Sequence, residues 1–135
     1  MALLMTVGDK MNIKPLPDID CYELVEPLRF WVDYIECEIP AGFVSDGASV
    51  PKIFWSIITS PFHPKVIKRA FQHDYLYRVH IVPKKKADKK FKKGLIYDGF
   101  AEVTAETMYS ALKLFGDFAY KEGPKKPIIG VYYVR

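Results

Sequence analysis

Strand-favouring and helix-favouring residues occupy different halves of this 135-residue chain, and that separation limits the folds open to it. Cys21-Tyr22-Glu23-Leu24-Val25 and the run from Leu28 to Ile39 are rich in β-branched and aromatic residues, and the second partly alternates. Glu26-Pro27 between them predicts a tight connection, hence an antiparallel ribbon. Pro40-Ala41-Gly42 ends the second strand and leads into the loop from Phe43 to Pro51. In that loop Asp46-Gly47 signals a turn, and Ser49 or Val50 ahead of Pro51 starts a short helix through Ile53, Phe54, Trp55 and Ile58.

The pattern then changes period. From Val66 to Val79 there is no Gly or Pro, apolar residues recur at helical spacing, and Pro64 and Pro83 bound the segment. A second helix from Lys85 to Tyr97 carries Ala87, Phe91, Leu95 and Ile96 on one side, with Asp98-Gly99 as its stop. A third, from about Glu102 to Phe115, gathers Val103, Met108, Ala111, Leu112 and Phe115 near one face and ends at Gly116. Gly123-Pro124-Lys125-Lys126-Pro127 is a loop, and Ile128 to Val134 is apolar enough for a last strand or a docking arm. Strands first and helices later predict an α+β fold in a single domain over residues 1–135. A small N-terminal antiparallel ribbon or sheet would pack on three to four C-terminal helices.

That length suffices to bury a core, and a 50% hydrophobic, 15% aromatic composition belongs to a folded domain. No apolar run approaches the roughly 20 residues needed to span a bilayer. The opening Met1-Ala2-Leu3-Leu4-Met5 is too short for a signal-peptide core and has no basic residue ahead of it, which places synthesis in the cytoplasm. Cys21 and Cys37 are then expected as reduced, packed thiols. The net charge of +4 is concentrated: Lys84 to Lys93 holds seven lysines and one acid, a local excess of 7 − 1 = +6. The run has no Arg and one aromatic, Phe91, so it reads as a solvated helix face and makes nucleic acid an unlikely partner.

Against that background Gln72-His73-Asp74-Tyr75-Leu76-Tyr77 stands out, in a chain with three histidines. Helical residues four apart share a face, so His73 lies with Arg69 and Tyr77, while Asp74 points elsewhere. Asp74 is therefore placed for a metal, a cap or a salt bridge to Arg78, and a carboxylate to orient His73 must come from another element.

The loop Gly42-Phe43-Val44-Ser45-Asp46-Gly47-Ala48-Ser49-Val50-Pro51 and the helix motif His73-Asp74-Tyr75-Leu76-Tyr77 together resemble domain of unknown function family 1353, found chiefly in tailed phages and prophages. Lys14-Pro15-Leu16-Pro17, Ile39-Pro40-Ala41-Gly42-Phe43, and Ala87-Asp88 with Phe91 and Leu95 extend the resemblance over most of residues 13 to 120. Ser45 stands where the family usually has Thr. The resemblance implies phage origin and a shared fold, and no established activity. A similarity of layout links the helix motif to phospholipase A2 enzymes, which use a helical histidine as base, its neighbouring aspartate on calcium, and a second aspartate to orient the imidazole. By that analogy Asp74 would face the metal. Asp88 would orient His73 if the chain folds back as a hairpin through His80-Ile81-Val82-Pro83. The disulfide frame and calcium-loop glycines of those enzymes are absent.

Two functions are expected from these readings. One is a virion-associated accessory or structural component, plausibly of the tail, whose partners are other phage structural proteins; Asp46, Ser49, His73 and Asp88 then form a polar core. The other is a hydrolase acting on lipid or cell wall during entry or lysis. It would use His73 as general base, Asp88 and Asp46 around it, Ser49 and Tyr77 as binding groups, and calcium or magnesium on carboxylates such as Asp74.

Overall fold

In a computed structural model the described residues are 5–7, 11–16, 21–45, 66–117 and 120. Asp46, Ser49, the helix expected through Ile58 and the C-terminal arm lie outside them. Six strands precede three helices: β1 (Met5–Val7), β2 (Met11–Leu16), β3 (Cys21–Leu24), β4 (Leu28–Val32), β5 (Ile35–Ile39), β6 (Val44–Ser45), α1 (Ile67–Val79), α2 (Lys84–Tyr97) and α3 (Glu102–Phe115). The architecture is α+β, with strands in two small antiparallel sheets ahead of the helices.

The strand pairing differs from the expected ribbon. β3 pairs with β2 and β6 in a sheet ordered β1-β2-β3-β6, and does not pair with the segment that follows it. The run from Leu28 to Ile39 is not one strand but a hairpin of its own, turning at Asp33 and Tyr34. Asp33 adopts φ 53°, a left-handed conformation that a short polar side chain tolerates and the sequence pattern does not announce. Register then sorts the side chains by alternation. Phe30 and Cys37 form a directly opposed pair on the core face, while Arg29 and Glu38 face each other in solvent with Arg29 Nε 2.9 Å from Glu38 Oε1. Cys37 is a buried free thiol, its Sγ 3.9 Å from the Ile35 carbonyl, and burial raises its pKa.

α1 is the central element. Phe71 and Tyr75 meet Phe43, with ring centroids 6.1 and 5.8 Å apart, and Tyr75 also meets Phe30 edge-on at 6.2 Å. Its other side meets α2, which leaves Arg69 to Tyr77 buried without a break. A helix covered on all sides shows no single apolar stripe, which is why His73 and Asp74 can both be interior. A second apolar cluster, Val66, Phe91, Leu95, Ala105, Met108 and Leu112, joins α2 to α3. Ile96 and Val103, expected on the packed faces, are instead exposed, each set at the edge of a stripe too narrow to include it.

α1 turns into α2 through His80, in the left-handed region at φ 54°, whose N–H donates to the Leu76 carbonyl over 3.1 Å. α2 stops as the Asp98-Gly99 signal requires. Gly99 N–H donates to Ile96 O and Phe100 N–H to Leu95 O, both at 3.0 Å, closing the last turn.

Candidate functional site

Because α1 and α2 are antiparallel, the i, i+4 series Arg69, His73, Tyr77 on α1 runs from Asp98, just past the end of α2, back to Asp88 and Lys84 within it. The result is a polar seam along the helix pair. At its centre His73 Nε2 lies 2.7 Å from Asp88 Oδ1, and the Tyr77 hydroxyl donates to the same oxygen over 2.6 Å. Asp88 Oδ2 accepts from Lys84 Nζ at 2.9 Å, and that ammonium also donates to the Leu112 carbonyl at 2.8 Å and lies 3.4 Å from Asp117. One carboxylate thus ties α1 to α2, and through Lys84 to the end of α3.

The centre is closed to solvent. His73 is 1% exposed and Asp88 0%, with the imidazole packed between the Tyr77 ring at 4.1 Å and the Phe91 ring at 5.3 Å. Burial alone would raise the Asp88 carboxyl, but the hydrogen bond and charge of His73, with Tyr77 and Lys84, outweigh it and hold Asp88 below the usual carboxylate value. The same burial, with the Asp88 hydrogen bond and charge, pushes the Tyr77 phenol far above its ordinary value. An ionised Asp88 only accepts, so the hydrogen shared with His73 sits on Nε2 and, in a neutral ring, the lone pair is on Nδ1. Nδ1 is buried and has no hydrogen-bond partner among the described residues.

Of the residues singled out in the sequence, His73, Tyr77 and Asp88 therefore meet in space, and the hairpin through His80 is what brings Asp88 over. Asp74 is buried and lies one helical step of about 100° away from His73. Among the described residues no group of three His, Cys, Asp or Glu side chains could hold a metal ion, and Asp46 and Ser49 lie outside them.

Lys84 belongs by sequence to the run expected as a solvated helix face, yet it is a member of the centre. The i, i+4 spacing of Lys84 and Asp88 is the signal that sets it apart from its neighbours. Gly116, at the end of α3, completes the wall: a Cβ there would come within 2.6 Å of the Tyr77 hydroxyl. At the other end of the seam Arg69 makes a two-pronged pair with Asp98, Nε to Oδ2 at 2.7 Å and Nη2 to Oδ1 at 2.9 Å.

A stretch of 78 residues is 33% identical to an uncharacterized protein, y4jT, of Sinorhizobium fredii (strain NBRC 101917 / NGR234), covering 58% of this chain and 23% of that relative. The chain thus corresponds to less than a quarter of that protein's length. No solved structure matches. The family described as protein of unknown function (DUF1353) matches residues 22–112, which takes in β3 to β6, the whole α1–α2 seam and most of α3, and the chain belongs to that family.

Proposed function

We infer that this domain is an accessory structural component of a tailed-phage particle, associated with the tail, and that the His73–Asp88 centre holds its helices in place. The observation that carries the structural role is closure: a histidine 1% exposed against a carboxylate 0% exposed, whose two oxygens take three donors from three side chains. A general base needs its substrate's proton within about 3 Å, directly or through one water. The phage origin that the family resemblance implies is the ground for the particle. The outward face of the β4–β5 hairpin, with Trp31 56% and Tyr34 97% exposed, offers aromatic surface of the kind that subunit association buries.

The test is His73→Asn and His73→Gln in the phage that encodes the protein. Loss of folding or of particle assembly fits a structural centre. Normal particles that fail at entry or lysis point to catalysis instead. One observation favours that second reading, a hydrolase of lipid or cell wall: a carboxylate fixing Nε2–H leaves Nδ1 as the basic nitrogen, the relation found between orienting acid and general base. In it His73 is the base, Asp88 its positioning residue, and Asp46 and Ser49 the loop residues that would approach from outside the described segments.

A further inference from the structure

Between α1 and α2, at the Arg69 end of the seam, lies a cavity of about 280 Å³ lined by Arg69, Lys90, Lys93, Gly94 and Tyr97. Its charge is uneven. Asp98 is taken up by two hydrogen bonds from Arg69, whose remaining nitrogen lies 3.3 Å from Gln72 Oε1. Among the described residues Lys90 and Lys93, like Lys85 and Lys89, form no close ion pair, whereas Lys84, Lys86 and Lys92 on the same helix are paired with Asp88, Asp33 and Glu106; Asp33 acts on Lys90 and Lys93 only at longer range. Lys90 is half-buried, and burial together with the nearby charges of Arg69 and Lys68 lowers its pKa.

Gly94 sets the shape. A Cβ at this position would come within 2.5 Å of Arg69 Cδ and 2.6 Å of Nε, so a larger residue would displace the guanidinium from Asp98. Tyr97 stands at the rim, its ring centre 5.9 Å from the Arg69 guanidinium carbon. The cavity thus has a fixed guanidinium, two ammonium groups outside any close ion pair and a flat aromatic edge.

We propose that this cavity binds a phosphate-type oxyanion carried by a small molecule, gripped by Lys90 and Lys93 with Arg69 as a pre-oriented third cation. The lysine run favours a small ligand over a polymer because its members point in different directions. Of its seven lysines three are paired within the fold, Lys85 and Lys89 are exposed, and Lys90 and Lys93 line one hollow.

The test is a titration of the full chain, followed by amide NMR, with inorganic phosphate and with a nucleoside monophosphate at constant ionic strength against chloride. The expected result is saturable shifts centred on Arg69, Lys90, Gly94 and Tyr97, with affinity falling at least about tenfold in Lys90→Ala/Lys93→Ala. Lys85→Ala/Lys89→Ala, which removes equal charge from the exposed side of the helix, is expected to bind as the parent does. Shifts no larger than those from chloride overturn the proposal, as does equal weakening in the two double variants. A single-stranded oligonucleotide that binds more tightly than the monophosphate, with steep salt dependence, overturns it in favour of a polymer. These variants leave His73 and Asp88 untouched, so failure here is separable from failure of the structural reading above.

Discussion

The two ends of the α1–α2 seam use the same kinds of residue and end in opposite states. Around His73 and Tyr77 a single carboxylate takes three donors, all four groups are shut from solvent or nearly so, and an apolar ring closes each side. Around Arg69 the carboxylate takes one guanidinium, and two further cations are left over beside an open cavity. A buried charge must be met within the fold or it shifts to its neutral form, whereas a charge at a solvent-filled hollow need not be. Matching therefore marks the His73–Tyr77 end as the part that holds the helices together, and surplus marks the Arg69 end as the part still able to bind something.

The sharpest way to break this contrast is to remove the shared acceptor. Asp88→Ala strands His73, Tyr77 and Lys84 at once and is expected to cost about 3–5 kcal/mol, the range for leaving one side of a buried ion pair uncompensated. Urea denaturation measures it. A variant folding with unchanged midpoint would show that the centre is not structural. Tyr77→Phe removes one of the three donors and keeps the ring packing, for an expected loss of about 1–2 kcal/mol in the same assay.

The contrast also has a pH signature. Because the Asp88 carboxyl is held below its unfolded value of about 3.9, it contributes fully above that pH and less as pH falls through the depressed folded value. The stability gap between parent and Asp88→Asn should therefore be flat from neutral pH down to about pH 5 and close below about pH 4. A gap that already closes near pH 6 would place the titration on another group.

How far the seam could be read from sequence depends on the range of each interaction. The facial set Arg69, His73, Tyr77 follows from helix period alone, whereas Asp88 enters through the phospholipase A2 layout and only on condition of a hairpin through His80-Ile81-Val82-Pro83. The strand half was harder. The break at Asp33-Tyr34 inside an apparently continuous strand depends on one left-handed residue; β1 is three residues long, and β2 alternates only over Met11-Asn12-Ile13-Lys14 before Pro15 interrupts it. Pairing of β3 with β6 spans the entire β4–β5 hairpin, a long-range choice that no local pattern encodes. The Arg69–Asp98 pair and the place of Gly94 between them were likewise invisible, because both depend on how closely two helices approach and not on either helix alone.

At the open end the expected effects are smaller and differ in kind. Gly94→Ala gains helix propensity, up to about 1 kcal/mol, but sets a methyl against Arg69 Cδ at 2.5 Å, where crowding costs about 1–3 kcal/mol. The net is a loss of about 1 kcal/mol, read by denaturation, together with loss of the phosphate response as the guanidinium is displaced from Asp98. A gain in stability would mean that Arg69 swings aside freely and is not fixed by Asp98.

Smallest of all is Tyr34→Ser at the hairpin tip, where the ring is 97% exposed and touches little of its own fold. Its stability should stay within about 0.5 kcal/mol of the parent. If the hairpin is the face that meets other particle proteins, the same substitution lowers incorporation into particles while the purified domain melts as before. A drop in stability instead would mean that the tip belongs to the core, and the aromatic surface offered for assembly would then reduce to Trp31.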